Sequence, residues 1–578
     1  MAEYLSPGVY VEEFESGEKP MEGVGTSTAG FLGLAERGAV EGVPQLVTSF
    51  ADFRRKYGGY LSENEFGEYR FLAYAVEHFF INGGTRAFIM RVAPADAACA
   101  QGTVPADPAV LTFTAKNPGV WGNNINITIT PSSKAKTQIK ELLETADGKR
   151  YHVKNAAGFQ AGDIIAFSDK ETVTYNRVVK CQDNIITFAT EYDESVIDPE
   201  IVPTKTISTC ECNLEVRLDD QVEVYENVSF NIESPAYIEK KLAKSEIISV
   251  SCTPPAEDNV QPPFLVLAGG DAEKAVLSVV LTGGTNGDIS SISAADFIGT
   301  DNGAAKRSGI QAFLDNDNVS IMAVPGVVDP NVQLTLVAHC ENTASRFAVL
   351  DMPRDAKKID DVIAHREIFD SNYAALYHPW LTVFDPLDKR NFAIPPSGSM
   401  LGIYARSDST RGVHKAPANE VVRACVGLDC QFNKGEQDIL NPKGVNLIRS
   451  FPDMGIRVWG ARTATSDSSW KYINVRRLFI YIEESIKANT NWVVFEPNDE
   501  VLWVRVKRTI EVFLTGMWRD GSFAGSSPDE AFFVNIGHET MSQDDIDNGR
   551  LICVIGVAPV KPAEFVIFRI SQKTSDAQ

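Results

Sequence analysis

Two long stretches near the C-terminal end of the chain have the clearest helical pattern of apolar and polar positions. Apolar residues recur at spacings of three and four between Trp470 and Ala488, and again between Asn498 and about Arg519. This spacing predicts two amphipathic helices. Asn498 is the expected N-cap of the second helix and Gly521 its end. On the first helix, Glu483 and Lys487 are spaced to form an i, i+4 ion pair on the solvent side.

Residues 31–92 alternate between strand and helix patterns. A helical pattern over residues 71–80 precedes Asn82-Gly83-Gly84, which is a typical helix end, and the apolar run at 87–90 then predicts a buried strand. A similar α/β pattern resumes at residues 264–268 and includes an apolar strand at 319–324. These segments together indicate an α/β domain.

The pattern between about residue 101 and residue 263 is different. Short β-type runs such as 163–167 and 185–188 are separated by turn residues, which is typical of a small barrel or sandwich. Because the α/β pattern resumes afterwards, this β-rich segment is predicted to be inserted between two halves of one α/β domain.

Extended patterns lie close to both ends of the chain. Residues 9–14 are β-type and precede a Gly-rich stretch at 23–30, and residues 565–570 are again β-type. A strand set apart by a flexible link has no local partner, and such unpaired strands readily join the sheets of other chains. The Gly-rich stretch could cradle a phosphate, but it follows the terminal segment rather than a buried strand, so a hinge is the favoured interpretation.

Composition and charge narrow the possible partners. The 578 residues include 77 Asp and Glu against 54 Lys and Arg, a formal net charge of -23, which repels nucleic acid and anionic lipid. No apolar run approaches the ~20 residues of a membrane helix, and the acidic N-terminus is unlike a signal peptide. We therefore expect the chain to stay in the cytoplasm where it is made. Nine cysteines without a CxxC pair favour reduced thiols.

The common signatures of catalysis and metal binding are absent from the sequence. It contains no Walker loop, HExxH, GxSxG elbow or paired CxxC. Acidic runs at 315–318 and 544–549 resemble calcium loops only in part, since neither has the full spacing with a terminal bidentate Glu. We therefore predict no catalytic residue, no metal and no cofactor.

Two basic clusters interrupt the acidic chain. Arg476 and Arg477 lie on the first of the two long helices, and Arg505, Lys507 and Arg508 on the second. Such clusters are either solvated helix faces or docking surfaces, and the sequence leaves both interpretations open.

A set of short motifs runs through both ends and most of the middle of the chain. They are SPGVYVEE (6–13), FFINGG (79–84), NPGVWGNNI (117–125), YHPWLTV (377–383), PPSGSMLGIYARSDSTRGVHKAPAN (395–419), GIRVWGART (455–463), WKYINVRRLF (470–479), FEPNDEVLW (495–503), AFFV (531–534) and APVKPAEFVIF (558–568). Taken together, they resemble the contractile tail sheath proteins of phages and of phage-tail-like injection systems. Residues 139–210 match nothing in that family, and we expect them to form a decorating insertion on the outer surface.

The resemblance implies a multidomain α/β and α+β fold, with an α/β sheath core, an inserted β-rich outer domain and extended terminal arms. The implied divisions are an N-terminal arm (1–22), an interrupted α/β middle domain (23–100 and 264–394), the β-rich domain (101–263), a C-terminal sheath domain (395–559) and a C-terminal arm and tail (560–578).

The resemblance also implies a function. Subunits would polymerise as a helical stack of rings around an inner tube protein, bound by baseplate and by terminator or cap proteins, and contract to drive the tube through a cell envelope. Assembly would take place in the bacterial host cytoplasm. Strand exchange would use Val9, Tyr10, Val11 and Phe14 of one arm and Phe565, Val566, Ile567, Phe568 and Ile570 of the other.

The five basic residues of the two clusters are candidates for contact with the tube or with neighbouring subunits. Arg505, Lys507 and Arg508 are the first choice, and Arg476 and Arg477 are their rivals. A hydrolase in the α/β portion and a surface-binding adhesin that uses the β module remain the alternatives, although the sequence provides no site for either.

Overall fold

The computed structural model describes residues 21–105, 109–145, 148–168, 173–191, 206–253, 260–567 and 569. The helices in this part of the chain are α1 (Phe50–Tyr57), α2 (Glu63–Phe66), α3 (Leu72–Asn82), α4 (Ile238–Leu242), α5 (Pro263–Leu267), α6 (Ala294–Ile298), α7 (Pro330–Thr343), α8 (Ile359–Arg366), α9 (Ser397–Arg411), α10 (Lys434–Leu440), α11 (Ile473–Asn489), α12 (Glu500–Arg519), α13 (Pro528–Ala531) and α14 (Gln543–Asp547). Short 3₁₀ segments lie at Gly67–Tyr69, Val120–Asn124, Ile289–Ser291, Gly309–Asp315 and Asn491–Val493.

The strands of the described residues form six sheets. In chain order they are β1 (Ala29–Leu34), β2 (Gln45–Val47), β3 (Ala87–Val92), β4 (Gln101–Val104), β5 (Leu111–Ala115), β6 (Asn126–Ser132), β7 (Lys136–Thr137), β8 (Ile139–Thr145), β9 (Gly148–Val153), β10 (Ile164–Ser168), β11 (Val173–Gln182), β12 (Ile185–Phe188), β13 (Thr206–Thr209), β14 (Glu211–Leu218), β15 (Gln221–Val228), β16 (Ile248–Cys252), β17 (Leu277–Val280), β18 (Ile321–Ala323), β19 (Phe347–Asp351), β20 (Ala374–His378), β21 (Leu381–Asp385), β22 (Arg390–Ile394), β23 (Gly427–Leu428), β24 (Val445–Phe451), β25 (Gly455–Val458), β26 (Phe532–Ile536) and β27 (Cys553–Val557).

The largest sheet has eight strands in the order β2-β3-β1-β18-β19-β20-β24-β25. Its inner strands run parallel, and the edge strands β2 and β25 are antiparallel to their neighbours. β1 and β3 are buried along their whole length, because an apolar core covers each face of the sheet. The predicted mixed α/β fold is confirmed, including the helix that ends at Gly83 and the strand that follows it.

This central sheet extends past the expected domain boundary at residue 395. β24 pairs with β20 and β25 forms the edge of the sheet, while α9 packs on α3. Met400, Leu401 and Ile448 are buried in the same core as the N-terminal strands. Residues 397–458 therefore belong to the central unit, and the boundary at residue 395 is corrected.

Two glycines of α9 allow the close approach of α9 and α3. A Cβ atom added at Gly402 would lie 2.5 Å from the backbone oxygen of Phe79, and one at Gly398 would also meet the backbone of α3. Because the obstacle is helix backbone rather than the end of a flexible side chain, the two helices would have to separate. The core contact therefore requires glycine at these positions.

Gly402→Ala is expected to lower the free energy of unfolding by about 2 kcal/mol, as overpacking of a close-packed core does. Gly516→Ala is the matched control, because Gly516 is also helical but a Cβ there meets nothing within 4 Å. That substitution should stabilise the protein by up to about 1 kcal/mol through helix propensity alone. Chemical denaturation of both variants measures the difference, and equal effects would contradict the proposed steric role.

The β-rich unit contains a four-stranded sheet, β15-β14-β6-β17, and a three-stranded sheet, β16-β5-β4. They share one apolar core, and α5 contributes Phe264 and Leu267 to it. The middle domain was expected to resume at residue 264, but Phe264 and Leu267 pack inside the β-rich unit. The boundary moves to about Thr285, whose backbone pairs with Ala98 at the entrance to the unit.

A second β unit is inserted within the first. Its seven strands lie in the order β7-β13-β10-β11-β12-β9-β8 and enclose a separate apolar core. The two ends of this unit lie side by side. Thr209 N donates to Ala135 O at 3.0 Å, Ala135 N donates to Thr209 Oγ1 at 3.1 Å, and Ser132 and Glu211 are paired on β6 and β14. The insertion therefore starts before residue 139, since β7 belongs to its sheet.

The C-terminal unit consists of α11 to α14 and the antiparallel pair β26-β27 around one apolar cluster. Both predicted long helices are present, but Asp499 rather than Asn498 caps α12, by accepting a hydrogen bond from Leu502 N at 2.9 Å. The expected Glu483–Lys487 pair is also wrong: Glu483 pairs with Arg476 instead. Within the described ranges, no helix is both long and apolar enough to cross a membrane.

Candidate assembly surface

Helix α12 has apolar side chains on two opposite faces. One face packs into the C-terminal unit through Leu502, Val506 and Ile510. The other face is exposed and carries Val501, Val504, Arg505, Arg508 and Val512 at helical spacing. Val501 and Val504 have 76% and 67% of their surface exposed, so this second face mixes apolar and cationic groups in solvent. We call these five residues the α12 stripe.

The three basic residues of α12 are in different environments. Arg505 and Arg508 are exposed, and the Arg505 guanidinium lies 4.1 Å from the ring centre of Trp492. Lys507 is half-buried, and its ammonium is 3.9 Å from the Glu511 carboxylate. Arg505 and Arg508 are therefore the residues of this cluster with free charge on the surface.

Arg476 is not on a surface. Its guanidinium lies 4.4 Å from the ring centre of Trp470 and 4.6 Å from that of Tyr373, and it donates to Glu483 at 3.0 Å. A side chain enclosed by aromatic rings is held by cation–π contacts and packing inside its own subunit. The expectation of a docking role for Arg476 is corrected for this reason.

Arg477 is 4% exposed and is also committed within the subunit. It donates two hydrogen bonds to Asp408, at 2.9 and 2.5 Å, and one to the Thr26 carbonyl at 2.9 Å. Desolvation alone would lower the pKa of Arg477, but the neighbouring Asp408 carboxylate outweighs it and raises that pKa. Arg477 is therefore a buried structural cation, and its expected docking role is corrected as well.

The Gly-rich stretch near the N-terminus is neither a free hinge nor a phosphate cradle. Ala29 and Gly30 belong to the central strand β1, and a Cβ at Gly30 would lie 2.9 Å from Phe313. Before β1, Val24 N donates to Ser485 at 3.1 Å, and Thr26 Oγ1 donates to Asp408 at 2.7 Å. Glu22 N and Thr28 N are bonded in the same way to Asn489 and Ser320. Residues 22–28 are therefore fixed against α11, α9 and the central unit, so the expected hinge is corrected.

The N-terminal strand residues Val9, Tyr10, Val11 and Phe14 lie outside the described residues, as do Phe568 and Ile570 of the C-terminal arm. The described part of that arm, Phe565, Val566 and Ile567, is 73%, 69% and 78% exposed and lies in no strand of this chain. Three consecutive large apolar side chains in water are an unusual surface for a lone subunit.

The residue before this exposed segment is firmly attached. Glu564 accepts two hydrogen bonds from Arg462, at 2.9 and 2.8 Å, one from Asn441 at 2.6 Å and one from Tyr472 at 3.1 Å. Burial tends to raise the pKa of Glu564, but the Arg462 and Asn441 hydrogen bonds bring it below its ordinary value. The arm thus has a fixed origin on the subunit.

The pair β26-β27 is a sheet with open edges. The two strands bond to each other from Phe532↔Val557 to Ile536↔Cys553, and no third strand joins them among the described residues. Phe533 and Val554 are half exposed. A two-stranded sheet is marginal alone, and this one depends on packing against α12. Its unpaired backbone groups are suited to accept further strands.

The two acidic runs have structural roles. Asp315 accepts a hydrogen bond from Ala305 N at 3.0 Å and pairs with Arg307. Asp545 closes a capping box with Ser542 at the start of α14. In the described part of the chain, no group of three or more His, Cys, Asp or Glu side chains is placed to hold a metal ion.

Comparison with known proteins identifies the family. The family model of the phage tail sheath protein central domain matches residues 300–464 of this chain, and the family model of the phage tail sheath C-terminal domain matches residues 465–573. The chain belongs to the contractile tail sheath family. It is a tail sheath protein of a phage or of a contractile injection system.

Relatives of this sheath protein include a prophage major tail sheath protein of Pseudomonas aeruginosa, 24% identical over 288 residues that cover 48% of this chain and 72% of the relative. The tail sheath protein of Escherichia phage P2 is 24% identical over 287 residues, with 48% and 70% coverage. That of Salmonella phage ViI is 28% identical, but the match covers only 28% of this chain and 30% of the relative.

Solved structures support the same fold. The sheath of an extracellular contractile injection system in its contracted state aligns over 99% of both chains, with a TM-score of 0.52 and 20% identity. A sheath tail protein of Listeria innocua aligns over 93% of this chain and 96% of its own, with a TM-score of 0.52 and 12% identity.

Two functional contacts of the sheath protein had no signal in the sequence. Asp408 and Glu564 lie within the family-like segments 395–419 and 558–568, but nothing in those segments indicates an ion pair, and their arginine partners lie 69 and 102 positions away. Only the fold brings them together.

Proposed function

We propose that this sheath subunit polymerises into a helical stack of rings by strand exchange through its two terminal arms. The observation that supports this most is the coexistence, in one subunit, of an open two-stranded sheet and an exposed apolar segment at 565–567. An extended segment added to an open edge satisfies the backbone groups of both. Such a link persists while subunits rotate, because it depends on backbone hydrogen bonds rather than on one side-chain fit.

The arms used in this proposal are residues 1–22 and 560–578. Val9, Tyr10, Val11 and Phe14 would donate one strand, and Phe565, Val566, Ile567, Phe568 and Ile570 the other. β26-β27 of neighbouring subunits is the acceptor. Contraction then needs no nucleotide, because its free energy comes from subunit contacts that are better satisfied in the short, wide state of the sheath.

The other partners follow from the same proposal. The sheath surrounds an inner tube protein and is bounded by baseplate and by terminator or cap proteins, and it assembles in the cytoplasm of the bacterial host. The inserted unit around residues 134–209 decorates the outer surface. The α12 stripe, with Arg505 and Arg508, is the candidate tube contact, because rim charges are individually weak and allow release.

Negative-stain microscopy of the purified chain, alone and with its inner tube protein, tests the polymer. We expect rings or tubes with the tube protein present. Compact monodisperse particles under all conditions, with or without the tube protein, would contradict the proposal.

Replacing residues 133–210 by Asn-Gly should preserve folding and sheath assembly. Ser132 and Glu211 are already cross-strand partners, so a two-residue type I′ turn can join them directly. Glu211 must become Thr in the same variant, because its buried carboxylate loses its contacts with Lys134 and Thr209. Thermal unfolding and microscopy measure the outcome, and failure of the excised chain to fold would show that the insertion is integral to the β-rich unit.

Arg505→Glu with Arg508→Glu should weaken sheath formation around the tube, and high salt should reproduce the defect in the unmodified chain. Lys306→Glu with Lys358→Glu is the control, because both lysines are exposed elsewhere and the change in net charge is the same. Pelleting of sheath-tube particles at low and high salt measures the effect. Equal pelleting of both variants would show that α12 does not contact the tube.

A further inference from the structure

The path of the chain between β27 and the exposed apolar segment shows how the C-terminal arm is held. Ala558 N donates to Ala531 O at 2.8 Å, and Val560 N donates to Ser522 O at 3.2 Å. For residues 561–563 the described residues provide only a local backbone hydrogen bond, from Glu564 N to Pro562 O at 3.0 Å, and none to another element. Glu564 is then fixed again through its side chain, and the exposed segment begins at the next residue.

The partners of Glu564 lie on the central unit. Asn441 follows α10, Arg462 follows the edge strand β25, and Tyr472 precedes α11. Glu564 therefore joins the last part of the chain to elements more than 90 positions earlier. We call the four side chains Glu564, Arg462, Asn441 and Tyr472 the C-terminal clasp.

The clasp is itself supported by the core of the central sheet. Arg462 N donates to Asn446 Oδ1 at 2.7 Å, and Asn446 Nδ2 donates to Arg462 O at 2.8 Å. Asn446 is fully buried on β24 and also donates to Leu376 O of β20 at 3.1 Å. Because the backbone that carries Arg462 is tied to two central strands, the carboxylate of Glu564 has a rigid receptor.

We propose that Glu564 is the positioning residue of the C-terminal arm: the clasp sets the register in which the arm pairs with a neighbouring subunit and transmits tension from the arm to the central sheet. This inference rests on the proposed strand exchange. Arg462 donates to both oxygens of the Glu564 carboxylate and Tyr472 donates to one of them, and these charge-assisted hydrogen bonds fix direction as well as distance.

The physical reason is the free length of the arm. Without the clasp, residues 561–564 would be free, and four extended residues add about 13 Å of reach. One step of register in a sheet is only about 3.3 Å, and a slip of one residue turns every side chain to the opposite face. A fixed origin at residue 564 therefore selects one pairing among several that the free arm would allow.

The test compares the full chain with Glu564→Gln, Arg462→Met and the milder Tyr472→Phe. We expect Tyr472→Phe and Glu564→Gln to keep near-native thermal unfolding and to lose long regular sheaths in microscopy. In Glu564→Gln, the hydrogen-bonded amides at positions 558, 560 and 564 should also exchange about tenfold faster. The exchanged pair Arg462→Glu with Glu564→Arg should restore much of the assembly, because Asn441 can turn its amide and Tyr472 can accept a hydrogen bond.

Glu367→Gln is the matched control, since Glu367 makes a single exposed pair with Lys443 at 3.2 Å. It should assemble normally. If Glu564→Gln and Tyr472→Phe also form normal sheaths, the positioning role is wrong. A chain that ends at Glu564 separates this outcome from failure of the strand exchange: it retains the clasp but lacks the strand. Normal sheaths from the truncated chain would overturn both proposals. If the truncated chain forms no sheaths but Glu564→Gln forms normal ones, only the proposed role of the clasp is overturned.

Discussion

Deletion of residues 1–16 is expected to leave a folded subunit that no longer forms long sheaths. The described residues from 21 onward supply the cores of every unit, so the thermal unfolding of the monomer should be nearly unchanged. Assembly should fail because each subunit loses one of the two strands through which it is linked to its neighbours. Microscopy and sedimentation of the variant with the inner tube protein measure the loss.

Proline pairs provide the control for this deletion, because they keep the length and most of the composition of the arm. Val9→Pro with Val11→Pro removes the N–H groups on one side of the strand, and Tyr10→Pro with Glu12→Pro removes those on the other. If the arm adds to an exposed edge, one pair should block assembly and the other should be tolerated; if it inserts between two strands, both should block. Normal sheaths from both pairs would contradict strand donation by this arm.

Regular elements with a strong period were predictable from the sequence. Helices α3, α11 and α12 are close to their predicted ranges because several core side chains on each one specify its phase. The cap of α12 was missed by one residue, since Asn498 and Asp499 are both good caps. The Asn498 side chain is engaged elsewhere, because it accepts from the Trp503 indole at 2.7 Å and donates to the distant Arg550 carbonyl at 3.0 Å, which leaves Asp499 to cap the helix.

Domain limits were less predictable, since they depend on which sheet a strand joins. β24 and β25 follow long helices and loops, and no local pattern shows that they extend the sheet begun by β1. The insertion was recognised as a departure from the family, but β7 is only two residues long. Its membership in the inserted sheet results from its pairing with β13, about seventy positions later.

The two basic clusters show that a charge pattern in the sequence does not predict whether a basic side chain is buried or exposed. Arg476 and Arg505 both lie on amphipathic helices, but α11 is covered by the central unit on one side and by the C-terminal unit on the other. Arg476 and Arg477 are consequently buried, whereas Arg505 is exposed because no element of the described residues covers the second face of α12. A helix that is buried between two units does not show this in its own sequence.

Asp408→Leu alone is expected to destabilise the subunit by about 3–5 kcal/mol, because it leaves the Arg477 guanidinium buried without a partner. The double variant Asp408→Leu with Arg477→Met should recover most of this loss, since a buried ion pair replaced by apolar groups of similar size is often neutral or stabilising. Chemical denaturation of the two single variants and the double variant completes a double-mutant cycle. Failure of the double variant to recover stability would show that the pair is itself a major source of stability.

The same cycle separates stability from anchoring of the N-terminal segment. Both members of the pair bind Thr26, through its hydroxyl and through its carbonyl, so the double variant loses these contacts even where it regains stability. Residues 22–28 should then exchange their amides faster, and sheath assembly should remain impaired if the N-terminal arm needs a fixed origin. Thr26→Val is the matched control, because it removes only the hydroxyl bond to Asp408 and retains the carbonyl bond to Arg477. A double variant that is stable and assembles normally would show that the buried pair serves the fold of the subunit and not the position of its arm.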